Sequence, residues 1–323
     1  MYSFDNDNLS IVPVDFNVFF YTAKEYKRNI RYSRECIVSE IFFHDFEFYI
    51  ARSDMKIIAV DMKNVVSYPT HLFSRLNKYL NKLIFFNVDS EKVRQMLSED
   101  LENLMWHRDN IGFSCQETDV VDEVVDNMCI NARKKEEYRI IKDIVKSEED
   151  KVQLLDSSGL YSNCYIDVKK LFANVDNYYY IIFCLAEQIN KFSGQIDAFI
   201  SSSKNGAILA NILGGLLDIK EVHLIGVGPK YSMELGDSVD CIKEGKRYVY
   251  IFDFMCTGTE LKIVSALINS KKGYLPYAAG IAKYKKDADF RILRKLVVLA
   301  DTKEIGINYK IAGDKEDINV LKG

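Results

Sequence analysis

The stretch of this 323-residue chain best suited to chemistry is Tyr248-Val249-Tyr250-Ile251-Phe252-Asp253-Phe254-Met255-Cys256-Thr257-Gly258-Thr259-Glu260-Leu261-Lys262. A β-prone apolar run ends in an acid, a short loop holds Thr-Gly-Thr, and a helical pattern follows. In such a unit the backbone N–H groups of the loop and of the first helical turn aim at one point, and the helix dipole favours an anion there. Gly258 lets the backbone approach closely, Thr257 and Thr259 add hydroxyl donors, and Cys256 and Glu260 flank the loop. Asp253 can accept hydrogen bonds from ribose hydroxyls. The group expected is a phosphomonoester carried on a sugar. The plain alternative is an ordinary strand–turn–helix with Thr259 as its cap.

A second unit of the same kind lies upstream, at Asp197-Ala198-Phe199-Ile200-Ser201-Ser202-Ser203-Lys204-Asn205-Gly206-Ala207. Here Ser203, Lys204, Asn205 and Gly206 can present N–H groups and one ammonium to a second anion.

The elements that must position these loops begin near Leu154. Tyr178–Lys191 reads as a helix with Phe183, Leu185, Ala186 and Ile189 as core candidates. Asp197–Ile200, Val222–Val227, Tyr248–Phe252 and Tyr277–Ala282 read as apolar strands, with helices over Ala207–Leu217 and Glu260–Ser270. Strands separated by helices predict a parallel sheet covered on both faces, with ligands at the carboxyl ends of its strands.

A third segment, Ser158-Gly159-Leu160-Tyr161-Ser162-Asn163-Cys164-Tyr165-Ile166-Asp167-Val168-Lys169, is similar to the Ser-Gly-x-x-Ser-Pro-x-Tyr-Ile-Asp stretch that opens orotate phosphoribosyltransferases. With the two loops following in the family's order, residues 150–310 resemble a type I phosphoribosyltransferase domain. The resemblance implies an α/β fold, a parallel sheet flanked by helices. It also implies a loop for the pyrophosphate of phosphoribosyl pyrophosphate (PRPP) at Ser203, Lys204, Asn205 and Gly206. Its 5′-phosphate would fall to Asp253, Cys256, Thr257, Gly258, Thr259 and Glu260. Lys230, Tyr165 and Lys169 are further ligand candidates. No cofactor or metal site is read from the residues, and Mg²⁺ enters only if PRPP binds.

The departures from the family's pattern bear on activity. Its acidic pair is reduced to Asp253, because Phe252 stands in the first place. Ser157 stands where the family has a lysine. The mobile loop, rich in Arg and Lys in the family, reads Gly226-Val227-Gly228-Pro229-Lys230-Tyr231-Ser232-Met233-Glu234, with one lysine. Cations preorganised around a leaving group are a main source of transition-state stabilisation. Glu260 would compete with a phosphate at the helix start. No catalytic residue is therefore assigned. The expected role is binding of PRPP or a 5′-phosphorylated nucleoside by a sensor, effector or partner-regulated module. Orphan domains of this type occur as effectors in bacterial antiviral defence, including with retrons. The alternative is an active phosphoribosyltransferase, or an enzyme cleaving a nucleotide N-glycosidic bond, with altered base specificity.

The N-terminal third reads as a smaller α/β domain over residues 1–104. Cys36–Phe43 and Phe46–Ile50 are expected as a hairpin around His44-Asp45, with strands at Lys56–Met62 and Leu83–Val88. Thr70 is expected to cap a helix over His71–Lys82, and Ser90 one reaching Asn103. Residues 35–103 show a weak resemblance to STAS domains. Tyr68-Pro69-Thr70-His71 replaces that family's phospho-acceptor motif, so no phosphorylation switch is expected. Residues 105–149 read as a charged helical connector, with Ile140, Ile141, Ile144 and Val145 on one side, leading into the domain at 150–323.

A net charge of −4 gives no general attraction to nucleic acid. The basic cluster Lys283, Lys285 and Lys286 reads as a solvated loop. Seven cysteines without a close CxxC pair argue against a disulfide framework or zinc site. No apolar stretch reaches membrane-spanning length, so a reducing cytoplasm is the default expectation. The partners expected are a phosphoribosyl-containing small molecule, and either a protein docking on the N-terminal domain or a second copy of the chain.

Overall fold

The computed structural model describes residues 1–6, 9–25, 31–55, 57–69, 75–76, 79, 83–87, 112–113, 120–146, 153–155, 159–163, 165–227, 239–284, 293–307 and 310–313. The chain divides into two units. One holds Met1–Arg28 and Ser33–Glu136, the other Asn29–Tyr32 and Glu137–Gly323.

The first unit runs β1 (Phe4–Asn6), β2 (Leu9–Pro13), α1 (Val14–Glu25), β3 (Cys36–Ile37), α2 (Glu40–Arg52), β4 (Ile57–Asp61), β5 (Val65–Ser67), β6 (Leu83–Phe86) and β7 (Gly112–Phe113). Its main sheet has the order β1-β2-β4-β6-β7. Only the β1–β2 pair is antiparallel. Val12, Ile58, Val60, Leu83 and Phe85 from the strands share one core with Phe42, Phe43, Phe46 and Ile50 from α2.

The hairpin expected around His44-Asp45 is a helix. The alternation Phe46-Phe48-Ile50 resembles a strand, but burial follows Phe42, Phe43, Phe46 and Ile50, while Ile41 and Phe48 are 65% and 49% exposed. That is helical spacing. The helix is started by Ser39, whose hydroxyl accepts the N–H of Phe42 at 3.2 Å. The strands expected over Lys56–Met62 and Leu83–Val88 are present as β4 and β6. The helix capped by Ser90, the cap Thr70 and most of the helix between them lie outside the described residues.

Two acids sit at the carboxyl ends of this sheet. Asp61 ends β4, and Asp15 stands in the first turn of α1, two residues after the end of β2. Both are buried, at 0% and 5% exposure. Arg133 donates to both, through Nη2 to Asp15 at 2.6 Å and through Nε to Asp61. Asn64 donates to Asp15 and Asn87 to Asp61, each at 2.8 Å. Burial pushes the Asp15 carboxyl above its ordinary value; Arg133 works against that shift and Asp61 adds to it.

A long helix, α3 (Val120–Ile144), follows in the connector region. The second unit then continues with β8 (Val145–Lys146), β9 (Gln153–Leu155), β10 (Leu160–Ser162), β11 (Tyr165–Ile166), α4 (Val168–Ala173), α5 (Val175–Asn190), β12 (Ala198–Ser201), α6 (Lys204–Leu217), β13 (Val222–Leu224), β14 (Arg247–Met255), α7 (Thr259–Ser270), β15 (Tyr274–Lys283), β16 (Lys295–Asp301) and β17 (Ile311–Ala312). Its main sheet has the order β13-β12-β14-β15-β16 and is parallel throughout. This is the α/β architecture expected, a parallel sheet flanked by helices. β14 shows how it is covered. Tyr248, Tyr250 and Phe252 pack with Leu261, Val264 and Ile268 of α7. The equally buried Val249 and Ile251 face the other side by the strand's two-residue period. α6 packs on β12 and β14, and α5 on α6, β15 and β16. Among the described residues no helix is long and apolar enough to cross a membrane.

Candidate functional site

The order of the strands locates the site. From β12 the chain crosses through α6 to β13 on one side, then returns to β14 on the other side and moves away through β15 and β16. Connections therefore leave β12 and β14 in opposite directions, and the carboxyl ends of these two strands flank a crevice of the kind where open α/β sheets bind ligands. The loops at these two ends are the two singled out in the sequence.

The first loop is short and closed on itself. Ser203 is the N-cap of α6, and its hydroxyl accepts the N–H of Gly206 at 3.0 Å. The Ser201 hydroxyl donates to the Ser203 carbonyl at 3.2 Å. A side chain at Gly206 would begin 2.3 Å from Ser201 Oγ and 2.8 Å from the Ile251 carbonyl, so only glycine lets α6 start this close to the sheet. Lys204 is exposed in the first turn. The helix begins at Lys204, three residues earlier than the pattern of Ala207–Leu217 indicates, because Ser203 caps it there.

The second loop has a different end. β14 does not stop at Phe252. It carries Asp253, Phe254 and Met255 as strand, with Phe254 paired to Ala282 and Met255 to Lys283 of β15. Gly258 occupies the N-cap position of α7 with φ 72° and no side-chain cap. That left-handed backbone favours glycine. Thr259 is therefore the first residue of the helix and not its cap. The hydroxyls of Thr257 and Thr259 bond each other at 2.8 Å. The Thr257 hydroxyl oxygen accepts the Thr259 N–H at 3.4 Å, and a helix start whose N-cap is glycine leaves its next N–H donors for an acceptor from outside the helix. Cys256 beside it is a half-buried, unbridged thiol.

Two carboxylates join the loops. Asp253 accepts from Asn205 Nδ2 at 3.0 Å and from Ser203 Oγ at 3.4 Å. Glu260 accepts from Ser202 Oγ, and the Tyr250 hydroxyl lies 3.4 Å from the same oxygen. Tyr250 and Ser202 also bond each other. Since serine has one proton and gives it to Glu260, the Tyr250 proton serves Ser202. Burial raises the Tyr250 phenol well above its ordinary value, and the charge on Glu260 adds to this. The phenol is thus a fixed donor. Glu260 is turned toward Ser202 and Tyr250, so its carboxylate binds the neighbouring loop.

The structure brings together Ser203, Asn205, Asp253 and Glu260 from the sequence reading. It adds Ser202 and Tyr250. Both were visible as types, a third serine and an alternate-position tyrosine, but their partners are 58 and 10 residues away from them in sequence. Tyr165 lies in β11, which pairs with β8 and not with the main sheet. Lys169 is exposed in α4, and its N–H is capped by Asp167 at 3.2 Å. Lys230, Ser157 and Ser158 fall outside the described residues, as do Lys285 and Lys286. Among the described residues no group of three or more His, Cys, Asp or Glu is placed to hold a metal ion.

No family model matches the chain, and no curated protein matches it. Solved structures do. Orotate phosphoribosyltransferase from Aeropyrum pernix is 21% identical, covering 52% of this chain and 96% of that one, with a TM-score of 0.40. Adenine phosphoribosyltransferase from Thermoanaerobacter pseudethanolicus is 16% identical, covering 50% and 98%, with a TM-score of 0.40. Adenine phosphoribosyltransferase from Leishmania donovani is 14% identical, covering 58% and 91%, with a TM-score of 0.41.

Proposed function

We propose that the second unit binds a phosphoribosyl group, as PRPP or a 5′-phosphorylated nucleoside, in the crevice between the β12 and β14 loops, and that it senses this ligand without transferring it. The observation that carries the proposal is the pair of strand–loop–helix units on adjacent parallel strands at the point where the connections reverse. The start of α7, without a side-chain cap, takes the 5′-phosphate on its N–H groups and on Thr257 and Thr259. The Ser203–Gly206 turn and Lys204 face the pyrophosphate. Asp253 accepts from the ribose hydroxyls. If PRPP is the ligand, Asp253 and the phosphates supply the oxygens for Mg²⁺, an ion that commonly takes one or two carboxylates plus phosphate oxygens. The sensing reading rests on the sequence, where Phe252 replaces one of two acids and Lys230 stands alone in a loop expected to be rich in cations. Phe252 is also 2% exposed within the core, where it has no access to a ribose.

The test uses ribose 5-phosphate and PRPP as probes. Saturation at a hundred times Kd adds about 2.7 kcal/mol to stability, readable as a rise in melting temperature. Thr259→Glu puts a carboxylate where the phosphate is to sit and abolishes the rise. No rise with either probe sinks the binding proposal. Formation of a nucleotide from PRPP and a free base at ordinary enzymatic turnover sinks the sensing part and leaves the binding part standing.

A further inference from the structure

At the opposite, amino-terminal edge of the same sheet lies a cleft of about 500 Å³. Successive residues of a parallel strand rise about 3.3 Å, so Arg247, at the start of β14, is about 20 Å from Asp253 along that strand. The cleft is separate from the crevice described above. Its size falls in the usual range of small-molecule sites, roughly 300–1,000 Å³.

Its lining mixes hydroxyl, amide, guanidinium and aromatic side chains. Ser265, on α7, is 5% exposed and lines the cleft. Arg294, just before β16, also lines the cleft, and its guanidinium has no acid partner among the described residues. The other cation there, Arg247, is held by Asp197 through Nε at 3.0 Å and Nη2 at 3.1 Å. Among the described residues the unbalanced charge at the cleft is thus the positive one of Arg294. At the rim stands Tyr274, 59% exposed, a large flat ring offered to solvent. Asn269 lines the same cleft. At the inner wall Tyr277 stacks on Phe192 at 4.3 Å and donates to Gln195.

We propose that this cleft is a binding site for a nucleoside monophosphate. The flat base stacks on Tyr274, its polar edge meets Asn269, a ribose hydroxyl meets Ser265, and the phosphate pairs with Arg294. A guanidinium suits a phosphate because it offers two parallel donors. The site is independent of the phosphoribosyl reading, since it uses none of the same residues.

Calorimetric titration of the full chain carrying Thr259→Glu isolates the cleft, because that substitution blocks the crevice. Adenosine and uridine monophosphates are the probes. One molar equivalent of at least one nucleotide binds. Arg294→Ala, at an exposed position, weakens binding about tenfold or more, as loss of a hydrogen bond to a charged group does. Ser265→Ala weakens it about fivefold, and adenosine without its phosphate binds as weakly as the nucleotide does to Arg294→Ala. Absence of binding by both nucleotides at millimolar concentration overturns the proposal. So does binding that neither substitution weakens. Ribose 5-phosphate on the chain carrying Arg294→Ala reports on the crevice, so failure of one site is not mistaken for failure of the other.

Discussion

The bond between Asn205 and Asp253 gives a sharp test of how the two loops are held. Asn205→Asp replaces the donating amide by a second carboxylate about where Nδ2 now sits, 3.0 Å from Asp253 Oδ2. Two unit charges at this distance repel by about 1.4 kcal/mol in water and about 5.5 kcal/mol at an effective dielectric of 20. Both side chains are half-buried, and the new one can turn partly away. We expect a loss near 2 kcal/mol, of which roughly 1 kcal/mol is the lost hydrogen bond. For a unit of 150–250 residues this lowers the melting temperature by about 4–8 °C. The sign with pH follows. Repulsion needs both groups ionised, so the loss is full at neutral pH and shrinks in acid, where the two share a proton. Asp253→Asn in the same chain restores one amide facing one carboxylate, and stability returns with it. Urea denaturation of the two single variants and the double variant at pH 7.5 and pH 4.5 measures all of this. If Asn205→Asp is as stable as the parent at pH 7.5, or if the exchanged pair is no better than the single change, the loops are not joined through this contact.

Two further substitutions test other parts of the chain. Arg133→Met leaves Asp15 and Asp61 buried without their cation, a change that typically costs about 3–5 kcal/mol. Burial raises the Asp15 carboxyl, and a raised carboxyl supports folding fully below the ordinary carboxylate range and loses that support as pH rises; with Arg133 no longer opposing the shift, the deficit in urea stability is larger at pH 7.5 than at pH 4.5, and an equal deficit at both would contradict it. Phe252→Asp, which rebuilds the acidic pair of the resembled family, gains no transfer activity and lowers stability by about 3–5 kcal/mol, because the ring is 2% exposed, lies over Gly280 and stacks with Tyr250. A variant that is stable and binds PRPP more tightly would place that side chain at the ligand.

The fold of the second unit was largely legible because its elements are long and its signals local. Tyr248–Phe252, Tyr277–Ala282 and the helix around Phe183 and Ile189 are apolar runs whose periods have one reading. Boundaries were harder. Asp253–Met255 reads as loop but is strand, because Phe254 and Met255 find partners on β15, and pairing across strands leaves no mark in the local pattern. β16, with Leu296-Val297-Val298-Leu299, carries an apolar run that was open to reading as the fifth strand. In the first unit the phenylalanine-rich stretch around Phe46 satisfies a period of two and a period of 3.6 alike, and only the cap at Ser39 separates them.

The site was legible in its loops and not in its wiring. Sequence order marks Asp253 and Glu260 as acids beside a phosphate-type loop, and from there Glu260 looks like a competitor for the anion. Geometry changes that argument. Each carboxylate is already engaged by hydroxyl or amide donors from the preceding loop, Asp253 by Asn205 and Ser203, Glu260 by Ser202. Under the proposed reading, a ribose that bonds Asp253 takes an oxygen that now holds Asn205, and a phosphate at the start of α7 meets Glu260 only if the carboxylate leaves Ser202. Ligand binding then exchanges loop-to-loop bonds for loop-to-ligand bonds, and the spacing of the β12 and β14 loops becomes the quantity that reports occupancy. A transferase profits from a crevice whose donors are preorganised for the leaving group. A sensor profits from contacts that the ligand must break, and under the sensing proposal the Asn205–Asp253 and Ser202–Glu260 pairs are contacts of that second kind.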